Sequence, residues 1–75
     1  MKIEKIEITS DTIKLDQFLK LASAVYSGSE AKKLIIEGKI LVNDEIEFRR
    51  GRKLIPGDRI KTPVQNFILH RKGPE

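Results

Sequence analysis

The stretch SGSEAKKLIIEGKILVNDEIEF, residues 27–48, changes its period at Gly38, and that change decides the fold. Before the glycine, Ala31, Leu34 and Ile35 fall on one face of a helix turning every ~3.6 residues, while Lys32 and Lys33 project elsewhere. Beyond it, Ile40 and Val42 alternate, Asn43-Asp44 supplies turn residues, and Ile46 and Phe48 resume the alternation, which is the pattern of a β-hairpin. Ser27 and Glu30 have the spacing of a capping box. The serine oxygen is expected to accept the Glu30 amide, and the carboxylate to return to the amide of Ser27. Gly38 closes the helix.

Upstream, Leu15, Phe18, Leu19 and Ala22 recur at i, i+3, i+4 and i+7, which predicts a first helix over residues 16–24 with Asp16 as its N-cap. Joined through VYSG, the two helices form a hairpin. Ile3, Ile6 and Ile8 mark a strand over residues 2–8. Downstream, Pro56-Gly57-Asp58 is a tight turn, and RIKTP is the strand leaving it, stopped by Pro63. The apolar run from Phe67 to Leu69 adds an edge strand or covers the core, and Lys72-Gly73-Pro74-Glu75 is expected to fray. The expected fold class is α+β, a two-helix hairpin packed on a small, mainly antiparallel β-sheet. One domain fills residues 1–75, with a core over 13–61, the N-terminal strand and a C-terminal extension over 63–75.

Composition narrows the chemistry. With no cysteine and one histidine among 75 residues, neither a disulfide framework nor a thiolate or histidine zinc site is available, so no metal and no cofactor are expected. His70 stands near the chain end with no carboxylate or serine assigned to it, which argues against catalysis and a small-molecule substrate. No apolar run approaches the roughly 20 residues of a membrane span, and the charged N-terminus is unlike a signal peptide. A cytoplasmic monomer that does not engage membranes is expected. The net charge of +4 is unevenly spread: residues 1–47 hold seven lysines against nine acids, and residues 48–75 hold eight lysines and arginines against two. Every arginine lies in the second of these segments, four cations falling within residues 49–53. Arginine presents a planar fork suited to phosphate, and cations this dense repel one another until an anion neutralises them. The pattern points to a polyanion, beside the plainer reading of a solvated basic surface.

Leu15-Asp16, Ser27, Ala31, Ile35, Gly38, Val42-Asn43 and Gly57-Asp58 occur in an order and spacing that resemble the S4 RNA-binding domain. That family takes its name from a small-subunit ribosomal protein and recurs in pseudouridine synthases and a tyrosyl-tRNA synthetase. The resemblance covers residues 13–61 and is greatest to the small stand-alone bacterial S4 proteins. It implies a helix pair packed on a small sheet, with RNA held against the helices and the neighbouring basic loop. Many S4 domains carry an arginine directly after the serine that opens the second helix. Here that position is Gly28, as in the stand-alone branch, and the contact an arginine makes there is absent.

Charge, helix termini and the resemblance together nominate an RNA-contacting set of Lys14, Lys20, Tyr26, Ser27, Gly28, Ser29, Lys32, Lys33, Lys39, Arg49, Arg50, Gly51, Arg52, Lys53 and Arg59. Ser27, Gly28 and Ser29 open a helix whose free amides suit a phosphate, unless the capping box satisfies them. Gly51 either turns the loop or brings its backbone close to a phosphate. Phe18 and Phe48 occupy apolar-periodic positions and are expected in the core, which leaves Tyr26 as the one aromatic for base stacking. So few stacking groups favour structured RNA, ribosomal RNA first, read by shape and backbone, with ribosome assembly or maturation as the implied role. DNA binding without sequence preference is one alternative. A protein-interaction adaptor docking its basic loop on an acidic partner is another. A ubiquitin-like sulfur carrier needs a C-terminal Gly-Gly, and this chain ends Lys-Gly-Pro-Glu.

Overall fold

The computed structural model of the chain describes residues 3–73. Its elements are β1 (Ile3–Ile8), β2 (Ile13–Lys14), α1 (Leu15–Leu21), α2 (Gly28–Ile36), β3 (Leu41–Val42), β4 (Glu45–Ile46), β5 (Lys53–Leu54), β6 (Arg59–Lys61) and β7 (Asn66–Arg71). Five strands form one sheet in the order β1-β7-β6-β3-β4, and β2 pairs with β5 in a second, two-stranded ladder. The class is α+β, as expected. Most pairings are antiparallel, but the longest, six residues of β1 against β7, is parallel, so the main sheet is mixed. The C-terminal apolar run is therefore no edge strand: β7 lies between β1 and β6. Lys72 is not frayed either, since its amide donates to the Ile8 carbonyl at 2.8 Å. Residue 2 of the expected first strand, and Pro74 and Glu75 of the expected frayed end, lie outside the described residues.

One face of the sheet and the inner faces of both helices supply the core. Leu15, Phe18 and Leu19 of α1 meet Ala31 and Ile35 of α2, with Ile40, Val42, Leu54, Ile60, Phe67 and Leu69 beneath them. Leu34, expected in the same stripe, is only half-buried at its margin. Phe18 and Phe67 pack edge to face with ring centroids 5.9 Å apart, an arrangement that matches positive ring edge to negative ring face.

The ends of the helices follow two different logics. In α2, Ser27 Oγ accepts the Glu30 amide at 3.2 Å, but the Glu30 carboxylate reaches past Ser27 and accepts the amide of Tyr26, also at 3.2 Å. At its far end Gly38 adopts φ +74°, and the amides of Gly38 and Lys39 close on the carbonyls of Ile35 and Leu34, a Schellman motif. In α1 the N-cap is Lys14, not Asp16, and no side chain caps it. The helix instead begins at Leu15 because the Leu15 amide donates to the Arg52 carbonyl at 2.8 Å and the Asp16 amide to the Arg50 carbonyl at 3.1 Å. Asp16 sits in the first turn, where its charge favours the helix dipole. The end of α1 repeats the Schellman pattern with Ser23, at φ 59°, in place of glycine.

Two turns are laced together by side chains. Asn43 and Asp44 both have positive φ, 53° and 71°, as a two-residue type I′ hairpin demands. The second turn, Ile55–Asp58, uses Gly57 at φ +98°. The Asn43 side chain donates to Asp58 Oδ1 at 3.0 Å and accepts the Arg59 amide at 2.9 Å, while Asp58 Oδ2 accepts the Ile55 amide at 3.0 Å. Asp58 is buried, and these bonds satisfy it.

Candidate nucleic-acid interface

The loop over residues 49–53 is held on three sides by backbone. It leaves the hairpin after β4, its Arg50 and Arg52 carbonyls cap α1, and it runs into β5, which pairs with β2. The register of that pairing places Lys53 directly opposite Lys14. Side chains so placed have Cβ atoms about 4.5–5.5 Å apart, and like charges there repel. Leu54, next along β5, is buried, while both lysines are exposed, so the pair faces outward. Among the described residues neither lysine forms an ion pair, nor does the exposed Arg50. Lys14, Arg50 and Lys53 thus form a group of unneutralised cations on a fixed backbone.

Arg49 and Arg52 behave otherwise. Both engage Glu47, which is only 7% exposed. Arg49 donates to it from Nε at 3.1 Å, from Nη2 at 3.3 Å and from its backbone amide at 3.1 Å; Arg52 donates from Nη1 at 2.7 Å. Glu47 is consequently lowered from 4.5 to about 2, chiefly by the Arg49 side-chain hydrogen bond, against the opposing effect of burial and with Arg52 adding to it. Arg49, Gly51, Arg52 and Lys53 line a shallow, open depression. Gly51 has no positive φ, and a Cβ there would meet nothing within 4 Å, so neither the turn nor a close packing contact requires glycine.

The expectation that Phe48 lies in the core is not met, and Glu47 takes the inward place instead. Phe48 is 62% exposed and Ile46 53% exposed, and both side chains lie against Gly38. The reason is register. With two residues in the turn, Val42 pairs with Glu45 and Leu41 with Ile46, and the Glu47 amide donates to the Ile40 carbonyl at 3.0 Å. Opposed residues share a face, so Glu47 joins Ile40, and Ile46 and Phe48 take the other side. The two-residue turn and the spacing of Glu47 to Arg49 and Arg52 were the signals for this residue, which the charge-based set omits.

On the helices, Lys20, Lys32 and Lys33 are exposed and form no ion pair among the described residues. Tyr26 is 95% exposed at the helix junction. Ser27 is occupied as a cap, Gly28 and Ser29 are exposed, and a side chain at position 28 would enter open space. Lys39 is paired with Glu37 at 3.5 Å. Arg59 shares Asp44 with Lys61, at 3.7 and 2.7 Å, and Asp44 is held below its ordinary value first by its hydrogen bond to Lys61. The structure thus gathers Lys14 with the 49–53 loop and leaves Lys39 and Arg59 in ion pairs of their own. Among the described residues no cluster of potential ligands could hold a metal, and no helix is long and apolar enough to cross a membrane.

A helix pair on a small mixed sheet, with exposed cations collected where a loop caps the first helix, defines an S4-type domain. The S4 domain family model matches residues 6–69, and this chain belongs to that family. It is 50% identical over 56 residues to a probable ribosome maturation protein, RlbA, of Bacillus subtilis (strain 168), covering 75% of this chain and 79% of that one. It is also 36% identical over 78 residues to an uncharacterized RNA pseudouridine synthase of Aquifex aeolicus (strain VF5). That alignment covers all of this chain but only 22% of the synthase.

Proposed function

We propose that this chain is a non-catalytic RNA-binding module, a single domain acting as a monomer in the cytoplasm, that holds structured ribosomal RNA during assembly or maturation of a ribosomal particle. One observation carries the reading: Lys14 and Lys53 sit opposite each other in a paired ladder, with Arg50 on the adjoining loop, and none of the three is neutralised among the described residues. Holding like charges in register costs stability, and a phosphate backbone removes that cost while releasing its counterions. Family membership and the role for which the Bacillus relative is named support the same reading. Lys20, Lys32 and Lys33 on the helices would extend the contact, and Tyr26 would offer its ring to an unstacked base.

The test is a salt titration against a folded RNA that contains a helix junction, with a DNA duplex of equal length beside it. If about four to six phosphates are neutralised, log K falls against log salt with a slope of roughly −3 to −5. The RNA binds more tightly than the duplex at physiological salt, because a junction turns its backbone and offers 2′-hydroxyls. Replacing Lys14, Arg50 and Lys53 by Ala flattens the slope by about one for each phosphate no longer neutralised. Equal affinity for both nucleic acids reduces the function to nonspecific polyanion binding. Absence of binding to either favours an acidic protein partner.

A further inference from the structure

A carboxylate at the centre of a basic loop opposes polyanion binding by its charge, yet Glu47 is buried there, and its side-chain hydrogen bonds all go to the loop itself. It grips the loop at both ends: Arg49 through side chain and backbone amide together, and Arg52 through Nη1. Between those two points lie Arg50 and Gly51, and the loop closes on itself where the Arg52 amide donates to the Arg49 carbonyl at 3.2 Å. The backbone so fixed is the one whose Arg50 and Arg52 carbonyls start α1 and whose next residue, Lys53, stands opposite Lys14.

We propose that Glu47 is a positioning residue for RNA recognition: it engages the forks of Arg49 and Arg52 internally, so that the loop presents Arg50 and Lys53, with Lys14, as a preset group. This rests on reading the chain as an RNA binder. Arg49 and Arg52 then act as struts, and the density of the basic run exceeds the number of cations it offers to phosphate. Presetting the group removes the ordering cost that a flexible loop would incur on binding.

The sign of the effect separates positioning from charge. Glu47→Gln removes a negative charge at constant length, and Glu47→Asp keeps the charge but is one methylene too short to span both arginines. Plain electrostatics makes the Gln variant bind junction RNA more tightly and leaves the Asp variant like wild type. Positioning makes both weaker, by about tenfold or more, because the preset geometry is lost in each. The second readout is amide hydrogen exchange in the free protein. With the loop released, the Leu15 and Asp16 amides, bonded to its carbonyls, exchange at least about tenfold faster in both variants. Tighter binding by the Gln variant, wild-type affinity in the Asp variant, or unchanged exchange overturns the proposal. So does failure of both variants to fold, since a residue whose side-chain hydrogen bonds only set the loop leaves the apolar core intact. If the wild-type chain binds no junction RNA, the RNA-binding reading fails, and the exchange rates still decide whether Glu47 fixes the loop.

Discussion

Glu47 links the basic loop to acid stability through the sign of its pKa shift. Its folded value of about 2 lies below its ordinary 4.5, so its contribution is fully present above about pH 4.5 and is lost as pH falls toward 2. Asp44 is also held low, first by its hydrogen bond to Lys61, and its contribution fades on the acid side too. Thermal melts followed by circular dichroism from neutral pH downward should show Tm falling through this window. In Glu47→Gln the fall should be shallower, with the Asp44 share remaining; an unchanged acid limb would mean the carboxylate is not paired in solution. The inward face of this residue could have been found by counting. A two-residue turn at Asn43-Asp44 sets Ile40 against Glu47, so Ile46 and Phe48 cannot share the face of Ile40 and Val42. Apolar alternation alone points the other way, and here register outweighs hydrophobicity.

Among the elements, those with local punctuation were legible and those closed from a distance were not. α2 carries its cap in Ser27 and its stop in Gly38, both beside it in the chain. α1 begins where carbonyls of Arg50 and Arg52 arrive from more than thirty positions downstream, a cap without a side chain and so without a residue type to announce it. β2 and β5 are two residues each, too short for any period, though their pairing places Lys14 beside the loop. The end of α1 went unmarked for a further reason: Ser23 occupies the left-handed position that glycine usually fills. Its conformation carries strain, so Ser23→Gly should stabilise the domain by about 0.5–1 kcal/mol, measured by urea denaturation. Gly38→Ala should destabilise it by a similar amount or more, because φ is +74°; the new Cβ itself would meet the Phe48 ring only in ordinary contact at 3.5 Å. Equal stability of the serine and glycine forms would show that position 23 relaxes out of this conformation.

At the scale of the whole molecule, the apolar core and the cationic surface occupy different residues, and substitutions should separate them. Ile35 is fully buried, and Ile35→Ala should cost about 2–5 kcal/mol, a large fraction of the stability of so small a domain. Arg50 is exposed, so Arg50→Ala should shift stability by no more than about 0.5 kcal/mol while weakening RNA binding. Denaturant midpoints measured beside RNA titrations would check both; an arginine variant less stable than the isoleucine variant would mean that the loop, not the core, holds the fold. The pairing that closes the sheet, β1 with β7, joins residues more than sixty positions apart in parallel, and no local pattern foretells such a partner.

That parallel pairing also governs how the domain bears load. Ile3 lies beside Asn66 and Ile8 beside Arg71, so the chain enters the sheet at one end of the ladder and leaves at the other. Tension applied through the two ends therefore slides β1 along β7. Their rungs are strained together and must give way together, whereas in an antiparallel hairpin pulled from its open end they break in succession. Tethered between two moving bodies, this small domain would resist stretching more than its size suggests.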